Sequence, residues 1–180
     1  MTKHYSIIGL LLGALILSGC VSKSRVITVK GANDQLEDKI EISTYSYERP
    51  AFGTIPVGTA DAFFRAYINK DSKRPLIQLY IMTSSNNWSY WNKIKFNQDN
   101  NLKTMDIIKV GSDAQCSAYG CTHFEDGVVR LTLDQLKYFA SQKKATIVRI
   151  SSSKVSSSID INISPEEAQA FLGHLDKHTS

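Results

Sequence analysis

From residue 39 to residue 163 the chain is mostly written in stretches where apolar and polar positions alternate in pairs. A period of two marks strands with one buried face, whereas apolar positions three and four apart mark helices. "KIEISTYSYE" (39–48) alternates in this way, and its phase slips between Ile42 and Tyr45, which predicts a bulge or a twist there. "RPAFGTIPVGT" (49–59) contains two prolines and two glycines and reads as a loop. "DAFFRAYINK" and "PLIQLYIMTSS" flank the polar turn Asp71-Ser72-Lys73-Arg74 and predict a hairpin. The second of these strands is apolar nearly throughout, as a central strand covered on both faces should be.

"YWNKIKF" (90–96) places Tyr90, Ile94 and Phe96 on one face and Trp91, Lys93 and Lys95 on the other. The turn "NQDNN" (97–101) then leads into "LKTMDIIKV", a second hairpin. "GVVRLTL" (127–133) is a strand with Val129, Leu131 and Leu133 sharing a face, and "ATIVRIS" and "SSSIDINIS" form a last hairpin around the serine-rich turn at 151–158. That turn reads as a solvated loop. Two helices interrupt the strands. Thr132 and Gln135 fit a capping box for a helix over Leu133 to Ser141, with Leu136 and Ala140 inward. Ser164-Pro165-Glu166-Glu167 opens a second, because serine at the cap and proline at the first position satisfy or remove orphan N–H groups. Ala168, Phe171, Leu172 and Leu175 then make one apolar stripe. The fold class expected is α+β: an antiparallel meander of six to eight strands with two helices packed on one side.

The N-terminus follows a different pattern. Lys3 and His4 precede an uncharged apolar run from Ile7 to Leu17, which has the length of a signal-peptide core and is too short for a membrane span of about twenty residues. The run ends in Leu17-Ser18-Gly19-Cys20, and these four residues resemble the lipobox of bacterial lipoproteins. The resemblance covers the first twenty residues only. It implies that residues 1–19 are removed, that the Cys20 thiol carries a diacylglycerol, and that the mature chain is held at a membrane by its acyl chains. In that class an aspartate after the cysteine favours inner-membrane retention, so Val21 implies the outer membrane, facing the periplasm. Residues 20–38 are then a lipidated N-terminus and polar tether, apart from "RVITV" at 25–29, which could form a strand, and 39–180 a single globular domain. About 160 residues remain after processing, enough for one domain with a real core.

The charge balance of 21 Lys and Arg against 17 Asp and Glu is mild and scattered, without the basic run that gathers phosphates, so nucleic acid is not an expected partner. Beyond Cys20 the cysteines are Cys116 and Cys121 in "CSAYGC". In an exported chain such a pair favours a disulfide that pins a turn between two strands. The competing reading is a metal site with His123, Glu125 and Asp126, but the four-residue spacer and single segment are unlike zinc sites. No metal and no cofactor is expected. His174 and His178 lie four apart at the end of the last helix, where they complement its dipole without an accompanying HExxH-like acid.

No Gly-rich phosphate loop, G-x-S-x-G elbow or S-x-x-K motif is present, and His123 lacks an evident nucleophile for base catalysis. No catalytic residue is expected. "NNWSYWNK" (86–93) concentrates both tryptophans beside a tyrosine, and Asn87-Trp88-Ser89, although it matches a glycosylation triplet, carries no weight in a bacterial lipoprotein. Trp88, Tyr90 and Trp91, together with Phe52 in the Pro/Gly loop, are the expected binding surface; the alternative is that the tryptophans cover the edge of the core. The functional expectation is a membrane-anchored envelope lipoprotein, not an enzyme, that binds another envelope protein. The alternative is a small-ligand or glycan binder, or a minor enzyme.

Overall fold

The computed structural model describes residues 27–45 and 55–180, so Cys20 and Phe52 lie outside the described residues. Ten strands and two helices are found among the residues described. The strands are β1 (Thr28–Lys30), β2 (Lys39–Ser43), β3 (Ala60–Asn69), β4 (Pro75–Ser85), β5 (Lys93–Gln98), β6 (Asn101–Asp106), β7 (Ile108–Ser117), β8 (Gly120–Leu131), β9 (Thr146–Ser151) and β10 (Ser158–Ile163). Helix α1 (Leu133–Ser141) separates β8 from β9, and α2 (Pro165–Thr179) ends the chain. The class is α+β with antiparallel pairing throughout, as the alternation predicts.

The strands divide between two sheets, six in the order β1-β2-β3-β4-β8-β7 and four in the order β10-β9-β5-β6. The six-stranded sheet fits the expected antiparallel meander, and the total of ten exceeds the expected six to eight through one divided strand and β1. "LKTMDIIKV" reads as one strand, yet it is two: β6 pairs with β5 in the small sheet, and β7 pairs with β8 in the large one. Ile107 is the step between them, with its N–H donating to the Asn92 carbonyl at 2.9 Å. A local alternation cannot reveal such a change of partner, because both halves remain extended. Strand β1, in the stretch read as tether, pairs with β2.

One face of the large sheet is the floor of the core. Ile40 and Ile42 of β2, Phe64 and Ile68 of β3, Leu79 and Ile81 of β4 and Val129 of β8 all point into it, each at every second position as strand geometry requires. The same cluster takes in Ile94 and Phe96 from β5, Val148 and Ile150 from β9, Leu136 and Phe139 from α1, and Ala168, Phe171 and Leu175 from α2. Phe64 stacks on Phe171 at 5.5 Å between ring centres. Burying each such side chain contributes about 1.5–3 kcal/mol, which makes this layer the main source of stability.

Both helices start where the capping signals place them. Thr132 accepts from the Gln135 N–H while Gln135 bonds back to the Thr132 N–H, and Ser164 accepts from the Glu167 N–H. Leu133 therefore leaves the strand face it would share with Leu131 and is 40% exposed as the first helical residue. The phase slip after Ile42 resolves in a similar way. β2 ends at Ser43, and the fully buried Thr44 hydroxyl accepts from the Phe64 N–H at 2.8 Å and donates to the buried Glu167 carboxylate at 2.5 Å. Strand end, neighbouring strand and α2 are thereby tied together.

Cys116 and Cys121 face each other across the β7–β8 hairpin and are disulfide-bonded, with Cα atoms 4.0 Å apart. Tyr119 at the tip is fully exposed.

Gly127 of β8 lies under the Ile107 step, and a Cβ placed there would drive into the Ile107 side chain while meeting the Ile108 carbonyl at 3.4 Å. Gly127→Ala is expected to cost about 1–3 kcal/mol by forcing a packed crossing apart. Denaturant unfolding checks this, and an unchanged midpoint would show that the crossing is not close-packed.

Candidate functional site

Along the inward phase of β8, moving away from the helices, the residues are Leu131, Val129, Gly127, Glu125 and His123. The first two are core. Beyond Gly127 the covering layer is no longer a helix or a strand but the segment 86–92, and here the inward positions turn polar. Glu125 is only 7% exposed. Its carboxylate accepts the Ser89 N–H at 2.7 Å and the Tyr90 N–H at 2.9 Å. A buried carboxylate is tolerated only when hydrogen-bonded, and two consecutive main-chain donors supply that compensation.

Turning two successive N–H groups toward one carboxylate has a backbone consequence. Tyr90 sits in the left-handed region at φ 55°, uncommon for a residue with a bulky side chain. This resets the phase of the chain before β5 starts at Lys93. The expected faces of Tyr90 and Trp91 are therefore exchanged: Tyr90, predicted to lie with Ile94 and Phe96, is 44% exposed, and Trp91, predicted to lie with the lysines, packs on the core cluster. The Trp91 Nε1 is buried without a hydrogen-bond partner among the described residues. Trp88 is half-buried, its ring edge-on to His123 at 4.6 Å between centres. His123 is thus a packing partner of the indole, and its buried Nδ1 has no partner among the described residues.

The serine-rich turn at 151–158 is surface-exposed for most of its length, but it is also a strap. The Ser152 hydroxyl donates to the Tyr90 carbonyl at 3.0 Å, the Ser153 N–H donates to Asn92 Oδ1 at 3.2 Å, and Asn92 Nδ2 returns a bond to the Ser153 hydroxyl. These bonds carry Lys154 to a position over the Tyr90 ring, with Nζ 4.7 Å from its centre. Lys109 of β7 reaches 5.7 Å from the centre of the Trp88 ring. Between these groups lies a cavity of about 230 Å³ whose lining includes Ile81, Ile107, Tyr90, Trp91, Lys109 and Lys154. Of the four residues expected to form the binding surface, Tyr90 and Trp91 meet in this cavity, Trp88 stands beside it across Lys109, and Phe52 lies outside the described residues. Lys109, Lys154 and the anchoring role of Glu125 were missed. Glu125 alone left a trace in the sequence, as a charged residue in register with Val129 and Leu131.

The opposite face of the large sheet carries a second polar and aromatic group. Phe63 and Tyr80 stack at 4.8 Å, and the Arg65 guanidinium lies 4.7 Å from the Tyr80 ring centre while bonding the Gln78 amide oxygen at 2.8 and 3.1 Å. The Tyr80 hydroxyl donates to Asp126 at 3.2 Å. Burial, reinforced by the neighbouring Asp126, pushes the Tyr80 phenol up to about 12. Burial likewise raises the Asp126 carboxyl, against the hydrogen bond from Tyr80, which lowers it. On α2, His174 is held below its ordinary value by burial and by the nearby Lys177 and His178. Among the described residues, no three His, Cys, Asp or Glu side chains converge as metal ligands.

Glu125→Gln leaves one acceptor oxygen for the Ser89 and Tyr90 N–H groups and turns an NH2 toward one of them, and is expected to cost about 2 kcal/mol, with a change in tryptophan emission as the 86–92 segment loosens. Urea unfolding followed by fluorescence tests this. Tyr80 gives a pH prediction of definite sign. Because the folded state holds its proton up to about 12 while the unfolded chain releases it near 10, stability should fall as pH rises between those values. Burial, with the nearby Asp99, also raises Tyr138, so alkaline titration of the tyrosinate band should lose amplitude from its late region in Tyr80→Phe; a late region unchanged in that variant would reassign it.

Compared with known proteins, the chain matches no family model, and neither a curated protein nor a solved structure matches it.

Proposed function

We propose that this chain is a lipid-anchored, non-catalytic binding module of the bacterial cell envelope, held by acylated Cys20 at the outer membrane and using the Trp88–Trp91 side of the domain to bind another envelope protein. The observation that carries the binding role is the cleft itself: exposed Tyr90 and half-buried Trp91 beside two lysines, kept in place by a buried carboxylate. Aromatic side chains at a partly desolvated, rigidly held position are the groups that dominate protein recognition. The Leu17-Ser18-Gly19-Cys20 lipobox supports the anchor. Among the described residues no helix is long and apolar enough to cross a membrane, so under this reading the acyl chains supply the attachment.

A second reading, a small-ligand binder, is favoured by one specific feature. The cavity is a concave space between the large sheet and the 86–92 segment, which is where a compact ligand would be enclosed.

The test is in-cell crosslinking of the full-length chain, combined with fatty-acid labelling. Labelling should occur in the natural chain and vanish in Cys20→Ala. One envelope protein should be captured by the natural chain and lost from both Cys20→Ala and Tyr90→Ala. Labelling that survives Cys20→Ala would defeat the anchor, and capture that survives Tyr90→Ala would defeat the assignment of the binding face.

A further inference from the structure

Two lysines and two carboxylates line the cleft, and how each is held identifies a ligand class. Lys109 and Lys154 arrive from β7 and from the β9–β10 turn, and neither has an acidic partner within ion-pair distance among the described residues, where the pairs found are Lys93–Asp106 and Arg149–Asp160. Each ammonium is instead placed against an aromatic ring, Lys109 near Trp88 and Lys154 near Tyr90. The two nearby acids are already engaged. Glu125 is closed off by the Ser89 and Tyr90 N–H groups, and the Asp126 carboxylate accepts from Tyr80, which stacks with Phe63 on the opposite face of the sheet. Among the described residues, the exposed charged groups left without a hydrogen-bonded partner at the cleft are thus the two ammonium groups. They lie above a floor that includes Ile81 and Ile107, while Glu125 is buried beneath them.

We propose that this cleft binds a small organic anion, with its carboxylate or related oxyacid between Lys109 and Lys154 and its ring or short apolar body against Ile81, Ile107 and Trp91. The proposal rests on the second of the two readings above, in which this cleft encloses a small ligand. A bare inorganic anion would use the lysines and leave the apolar floor unfilled, and a neutral ligand would use the floor and leave the two ammonium groups unpaired. The size points the same way. A cavity of about 230 Å³ lies below the range of roughly 300–1,000 Å³ that encloses drug-sized ligands, so a single ring is the scale it accepts.

The experiment uses the full-length chain in non-ionic detergent and measures binding of four probes by ligand-observed NMR: benzoate, glucuronate, benzamide and inorganic phosphate. Benzoate and glucuronate separate an aromatic body from a sugar body bearing the same anionic group. At least one of them should bind saturably, at least tenfold more tightly than benzamide and phosphate. The double variant Lys109→Gln/Lys154→Gln should weaken that binding tenfold or more while keeping the natural thermal midpoint, since both lysines are exposed. Benzamide binding as well as benzoate, phosphate binding as well as either organic anion, no saturable binding of either anion, or a double variant that binds like the natural chain would each overturn the proposal. The Cys20→Ala chain should bind the same probes unchanged, so a failure of the lipid anchor and a failure of the cleft give different results.

Discussion

The structure is organised by the need to cover one apolar face. The large sheet presents Ile42, Phe64, Leu79, Ile81 and Val129 on a single side, and an antiparallel sheet with such a face cannot stand alone in water. Two short helices and a four-stranded sheet meet over it and complete a common core, with the Phe64–Phe171 stack joining the face to α2. The change of sheet at Ile107 follows from this constraint. A strand leaving β5 and β6 must return to the large sheet to pair with β8, and Gly127 is the position that lets it pass closely.

The candidate site is what remains where that cover runs out. Beyond Gly127 the inward phase of β8 continues, but the layer above it is a loop, and a loop brings main-chain donors that need acceptors. Glu125 meets that need, and in doing so it fixes the geometry of everything around it. The left-handed Tyr90, the outward turn of its ring, the inward turn of Trp91 and the strap from Ser152 and Ser153 all depend on where the two N–H groups point. Side chains held in this way would lose little freedom on binding, which is the advantage of a preformed cleft under the proposed function. A side chain buried for structural reasons thus sets the shape of a surface suited to recognition.

Much of the architecture was legible because it is encoded locally. The capping box at Thr132, the Ser164-Pro165 start of α2, the β3–β4 hairpin with its doubly covered second strand and the Cys116–Cys121 staple each depend on residues close together in the chain. Within the site, the aromatic cluster at 88–91 stood out by composition, and the serine-rich turn did not, because hydrogen bonds from Ser152 and Ser153 to Tyr90 and Asn92 cross about sixty residues of chain.

By itself the sequence determined the α+β class, the helix starts, most strand positions and the aromatic stretch worth examining, since all of these follow from periodicity, capping and turn chemistry read over a few residues. The tertiary structure alone decided the division into two sheets, the exchange of faces between Tyr90 and Trp91, and the convergence of Lys109, Lys154 and Glu125 on one cleft. The physical reason is that these depend on which distant groups compete for the same hydrogen bonds and the same buried face. A strand's alternation is unchanged by which neighbour it pairs with, and a carboxylate's position in the chain does not say whose N–H groups will reach it.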